Sequence, residues 1–76
     1  MLRLMMRATE RQLRTLGAAS GHRSIRALCI AADIDRTSLY RTIARGRRPR
    51  RSTVARLAAA LNVDADVVAR IFGGEP

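Results

Sequence analysis

The side chain with the most chemistry to offer in this chain is arginine. Fifteen basic residues stand against six acidic ones, every basic one is Arg, and the formal net charge is +9. A guanidinium is always charged and presents its donors in a planar fork that matches phosphate oxygens and the acceptor edge of guanine. Such an excess sets up an attractive field for polyanions. Nucleic acid, an acidic protein surface and an anionic membrane would all feel that field, so charge alone does not choose among them. Five of the arginines crowd into the seven residues Arg45-Gly46-Arg47-Arg48-Pro49-Arg50-Arg51. Arg3, Arg7, Arg11 and Arg14 recur at helical spacing and form a second basic stripe, either a solvated helix face or a backbone contact.

Bond-making chemistry has little to draw on. Cys29 is the one cysteine, with no His at a spacing that makes a metal site or a nucleophile pair, so it reads as a small core residue. His22 is the one histidine, placed in a loop without ligand partners. The carboxylates mostly occupy positions that suit helix caps, and no Gly-rich phosphate cradle is present. The chain is therefore expected not to be an enzyme, and to need no metal, no cofactor and no small-molecule substrate. A single cysteine cannot form an intramolecular disulfide, which fits a reducing compartment. Residues 1–7 are basic, but their longest apolar run is Leu4-Met5-Met6, too short for a signal-peptide core or a membrane span. The expected location is the cytoplasm, at the nucleoid when bound to DNA.

The elements that must position the arginines follow from periodicity. With 76 residues, the chain is expected to form one domain over 1–76, burying only about 60% of its unfolded surface. An apolar fraction of 47% is ordinary for a folded domain. No stretch alternates as a strand does. Leu2, Met5, Met6, Thr9, Leu13 and Leu16 recur at helical spacing, and Thr9-x-x-Gln12 has capping-box form. A firm first helix is expected from about residue 9 to Gly17 or Gly21, the latter favoured because Ala18-Ala19-Ser20 can continue a helix, with 1–8 as a basic arm or frayed extension. Ser24 caps a second helix, Ile25 to about Ala32, and Asp35 caps a third, Arg36 to about Ala44. In that third helix Leu39 and Ile43 point one way, while Thr37, Arg41 and Ala44 point the other, with Arg36 and Tyr40 on the flanks. Gly46 and Pro49 make 45–51 a loop. Ser52 is expected to cap a fourth helix with Val54, Leu57, Ala58 and Leu61 inward, stopped by Asn62 in the left-handed conformation. Asp64 starts a last helix, ended by Gly73-Gly74, with 73–76 as a tail. The expected fold class is all-α, a compact bundle of about five short helices.

Two short helices joined by about three residues, the second turning polar side chains outward, have helix-turn-helix geometry. Residues 24–46, Ser-Ile-Arg-Ala-Leu-Cys-Ile-Ala-Ala-Asp-Ile-Asp-Arg-Thr-Ser-Leu-Tyr-Arg-Thr-Ile-Ala-Arg-Gly, resemble the helix-turn-helix of phage repressors, Cro proteins and related antitoxins. The likeness continues through Arg48-Pro49 into Thr53-Val54-Ala55-Arg56-Leu57-Ala58-Ala59-Ala60-Leu61-Asn62-Val63. The piece Asp35–Arg41 is especially similar to the start of the recognition helix in antitoxin-like members. Two departures are visible: Asp33 stands where the family usually has Gly in the turn, and Cys29 where it often has Ala.

The resemblance implies a lambda-repressor-like DNA-binding fold and a transcriptional regulator, Cro-like or antitoxin-like, most simply a repressor. It implies base contacts from Arg36, Thr37, Tyr40 and Arg41, because guanine accepts bidentate Arg and a Thr methyl can meet a thymine methyl. Phosphate contacts are expected from Ser24, Ser38, Arg45, Arg47, Arg48, Arg50 and Arg51. Related repressors dimerise on two-fold operators, and the last helix offers a candidate surface. There, Val67 and Ile71 could cover the core while Val68 and Phe72 meet a second copy, the alternative being that all four pack in the chain's own core. The competing readings are an RNA-binding protein, disfavoured by one Tyr and one Phe, and a protein-interaction module. The latter would be a toxin-neutralising antitoxin or a phage-encoded inhibitor of a host protein.

Overall fold

A computed structural model describes the backbone of residues 2–46 and 48–72, and the side chains within 8–46 and 48–72. Five helices follow one another with no strand among the described residues: α1 Leu2–Ala19, α2 Ile25–Ala32, α3 Arg36–Arg45, α4 Arg51–Leu61 and α5 Ala65–Ile71. The all-helical bundle expected from periodicity is therefore present.

Each helix delivers at least one fully buried side chain to a common core. These are Leu13 from α1, Leu28 from α2, Leu39 from α3, Leu57 and Leu61 from α4, and Val68 from α5. Burying each contributes about 1.5–3 kcal/mol. In α2 the buried set is Ile25, Leu28, Cys29 and Ala32, and in α4 it is Val54, Leu57, Ala58 and Leu61. Both have the i, i+3, i+4, i+7 spacing of a single helical face.

Four helices stop on a left-handed residue. Gly21 (φ 90°), Asp33 (φ 57°), Gly46 (φ 67°) and Asn62 (φ 59°) end α1 to α4 in turn. After α1, the His22 amide donates to the Gly17 carbonyl at 2.7 Å and the Gly21 amide to Ala18 at 3.1 Å. This double closure satisfies carbonyls that the helix end would leave orphaned. Two bonds between residues distant in sequence tie the same corner to α4: Ser20 Oγ donates to the Leu61 carbonyl at 2.6 Å, and His22 Nε2 lies 2.9 Å from the Ala60 carbonyl.

Several boundaries differ from expectation. α1 is continuous from Leu2, so residues 2–8 are helix rather than an arm, and Thr9 caps nothing. Its hydroxyl instead donates to the Ile71 carbonyl at 3.2 Å, joining the end of α5 to α1. α4 starts at Arg51, with Arg50 as an N-cap that makes no side-chain hydrogen bond. The Val54 amide already reaches the Arg50 carbonyl at 2.9 Å, which closes the first turn before Ser52 could cap it. Asp64 does precede α5, without a side-chain cap bond. Gly73-Gly74 and the tail lie outside the described residues.

The largest correction concerns α5. Val68 is 0% exposed and Phe72 6%. Both belong to the chain's own core, so neither is free to meet a second copy, and Val67 is the residue left half-buried. In a bundle this small, the short last helix has to face α1 and α4 together. That takes an apolar surface wider than one stripe.

Candidate nucleic-acid interface

The site begins at the turn between α2 and α3. Ser24 starts α2 as its N-cap, its hydroxyl oxygen accepting from the Ala27 amide at 3.1 Å. α2 ends where Asp33 takes the left-handed conformation, and the Ile34 amide closes back on the Cys29 carbonyl at 2.9 Å. Asp tolerates this region better than most residues, because its short side chain can bond locally. Asp35 then opens α3: its Oδ2 accepts from the Ser38 amide and from the Ser38 hydroxyl, both at 3.0 Å. Three residues, Asp33 to Asp35, thus separate two capped helices. Every cap in this passage is local, which is why sequence alone located it. Arg56 of α4 anchors the turn from below, donating to the Asp33 carbonyl at 3.1 Å.

Leu39 and Ile43 pin α3 to the core. The helix packs on α1 and α2. Its far face is open: Thr37, Ser38, Arg41 and Arg45 are exposed, with Ala44 half-buried beside them. Ser38, expected at a phosphate, is exposed but has its hydroxyl committed to Asp35.

The four residues expected at base edges separate into two groups. Thr37 and Arg41 lie on the outward face. Arg36, although exposed, is about 140° around the helix from Arg41 at about 100° per residue. It lies close enough to Cys29 for its charge to act on the thiol. Tyr40 turns the other way: it packs half-buried against the core and its hydroxyl donates to Glu10 Oε2 at 3.3 Å. The same oxygen accepts from Arg14 at 2.7 Å. Burial, then the charge and hydrogen bond of Glu10, push the Tyr40 phenol above its ordinary value of 10.0, with Arg14 opposing. Tyr40 therefore secures α3 to α1 and does not belong to the outward surface. Burial also raises the Cys29 thiol, more than Arg36 lowers it.

Among the expected phosphate contacts, Arg45 closes α3 and Arg51 opens α4, so the connecting loop is shorter than 45–51. Arg45, Arg48, Arg50 and Arg51 are exposed, and Arg47 lies outside the described residues. In the N-terminal stripe, Arg11 is exposed and Arg14 is paired with Glu10. The side chains of Arg3 and Arg7 lie outside the description.

Sequence reasoning passed over the polar side of α4. Thr53 and Arg56 line an open cleft of about 470 Å3 opposite Ser38, Arg41, Thr42 and Arg45 of α3. Their three-residue spacing at the start of α4 was the available signal. No His, Cys, Asp and Glu cluster able to hold a metal ion occurs among the described residues. Nor is any described helix long and apolar enough to cross a membrane. No protein-family model, curated protein or solved structure matches the chain.

Proposed function

We propose that this chain is a sequence-specific regulator of transcription that binds duplex DNA, with α3 as the helix that enters the major groove. The observation that carries the reading is the α2–turn–α3 unit. Two capped helices meet across three residues locked by Asp33, and the outer side of the second helix offers Thr37 and Arg41 with no core duty to perform. The major groove, about 12 Å wide, admits one helix and displays a distinct pattern for every base pair. Exposed Arg45, Arg48, Arg50 and Arg51 flank that face, where phosphate contacts would fix the register.

The inward turn of Tyr40 supports a duplex over single-stranded RNA. Single-stranded RNA is read largely by stacking bases on aromatic side chains. Phe72 is buried and Tyr40 is engaged with Glu10, so no fully exposed aromatic ring exists among the described residues. The likeness of residues 24–63 to phage repressors, Cro proteins and antitoxins supports the regulatory role.

Selection from a random duplex pool tests the proposal. A recurring motif, recovered with the intact chain and lost with Thr37→Ala/Arg41→Ala, is the expected result. Recovery of unrelated sequences, at equal strength for both proteins, would remove α3 as a reader of bases.

A further inference from the structure

An open cleft lies between α3 and α4, and Ser38, Arg41 and Arg45 of the outward face of α3 form part of its wall. Its volume of about 470 Å3 falls within the range of small-ligand clefts, about 300–1,000 Å3. Ile34, Leu39 and Pro49 give it an apolar floor. Arg41 and Arg45 line it from α3, and Arg50 and Arg56 from the loop and α4. The guanidinium groups of Arg41, Arg45 and Arg50 have no carboxylate or hydrogen-bond partner among the described residues. Positive charge therefore converges on one end of a concave surface, with no carboxylate paired to these three groups among the described residues.

The opposite end differs in sign. Asp33 and Asp35 also line the cleft, at the start of α3, and Arg45 ends that helix about 15 Å away at 1.5 Å per residue. A nucleic-acid strand carries a phosphate at every step and would bring one against these carboxylates. A small molecule with phosphates at one end and hydroxyl or amino donors at the other satisfies both ends. Carboxylates accept such donors, and guanidinium forks hold phosphate oxygens.

We propose that this cleft binds a nucleotide, its phosphates on Arg45 and Arg50 with Arg41 at the rim and its sugar hydroxyls or base amino group toward Asp33 and Asp35. The site stands on its own geometry, while its consequence rests on α3 being the DNA-reading helix. Arg41 and Arg45 cannot serve a nucleotide and a duplex together, so nucleotide and DNA exclude one another.

The test titrates ATP and, separately, inorganic pyrophosphate into the intact chain at constant ionic strength, reading amide chemical shifts. Saturable one-site binding is expected, with shifts gathered on Ser38, Thr42, Thr53 and Arg56, and with ATP tighter than pyrophosphate. Arg45→Ala should weaken ATP by about tenfold, the loss of one charge-assisted contact. Thr53→Val, outside the residues proposed to touch DNA, should weaken ATP severalfold and leave duplex binding unchanged.

Shifts that never saturate, or that sodium chloride reproduces, would mean counter-ion screening and overturn the site. ATP binding no tighter than pyrophosphate would overturn the nucleotide as ligand. Shifts in the cleft with duplex but none with ATP would give the cleft to a DNA strand. Duplex binding is measured on the same samples, so the two readings fail separately. A chain that binds duplex without ATP refutes the cleft alone, and one that binds ATP without duplex refutes the regulatory function alone.

Discussion

Asp33 is the residue on which the orientation of α3 turns, and it holds φ 57° without being glycine. The left-handed region costs an L-residue about 1–2 kcal/mol, less for Asp and Asn. Asp33→Gly should therefore be tolerated or mildly stabilising, whereas the β-branched Asp33→Val should lower stability by about 1–2 kcal/mol. Thermal unfolding checks both, since 1 kcal/mol shifts the midpoint by about 4–8 °C in a domain this small. Arg41 and Arg50 should separate specificity from affinity. Arg41→Ala is expected to cost about 1–3 kcal/mol on the preferred duplex and to relax base choice at one position. Arg50→Ala is expected to weaken preferred and scrambled duplexes equally, by removing a phosphate contact. Equal losses on both duplexes for both variants would reject the separation. Cys29 and Tyr40 make the fold sensitive to alkali. Both groups titrate above their ordinary values of 9.0 and 10.0 in the folded chain. A raised pKa means that the folded state holds its proton longer than the unfolded one. The associated stability is complete below pH 9 and is lost as pH rises through the folded values. Unfolding followed from pH 8 to 11 should show that decline, and the double variant Cys29→Ala/Tyr40→Phe should flatten it.

Helix by helix, packing decides what local signals leave open. Phe72 is 6% exposed in the core, so Phe72→Glu buries an unpaired carboxylate and should abolish the cooperative transition, not merely separate two copies. Circular dichroism of the variant reads this directly; a folded, soluble Phe72→Glu would restore α5 as a docking surface. Thr9→Val should cost about 1 kcal/mol by leaving the part-buried Ile71 carbonyl without its donor. These two sites also mark where the sequence was hard to read. Ser24, Asp33, Asp35 and Asn62 were legible because each acts on amides or carbonyls within five residues of itself. Thr9 has the form of a cap, yet its partner lies 62 residues away, and no local rule finds it. Periodicity could not choose between Val67 and Val68 in α5 either, because seven residues make two turns and both stripes are apolar. Tyr40 sits on a flank of α3, and its packing against the core together with its bond to Glu10 on α1 holds it inward. The outward face of α3 was legible; the cleft beside it was not, because it exists only once α4 has folded back toward the turn.

For the molecule as a whole, charge and surface set the remaining expectations. If roughly five to seven phosphates are neutralised by the arginines around α3 and along α1, log K for duplex DNA should fall with log salt at a slope of about −5 to −6. A flat slope between low and physiological salt would show that these arginines do not follow a backbone. Ile30 is the one large apolar side chain strongly exposed among the described residues, at 71%. A stable pair needs on the order of 1,200 Å2 or more of buried surface. Sedimentation at micromolar concentration is therefore expected to find single chains in free solution and two copies on a palindromic duplex about one helical turn between half-site centres. Dimers in the absence of DNA would contradict this. α1 touches all four other helices and is the hub on which they close. It is also made before the other four. The carbonyl that its Thr9 needs lies 62 residues later, a delay of about 3–12 s at about 5–20 residues per second of synthesis. Until α5 arrives the core around Leu13 and Leu16 lacks its last wall, so each newly made copy passes through an interval in which its apolar seam is partly open to chaperones and to neighbouring nascent chains.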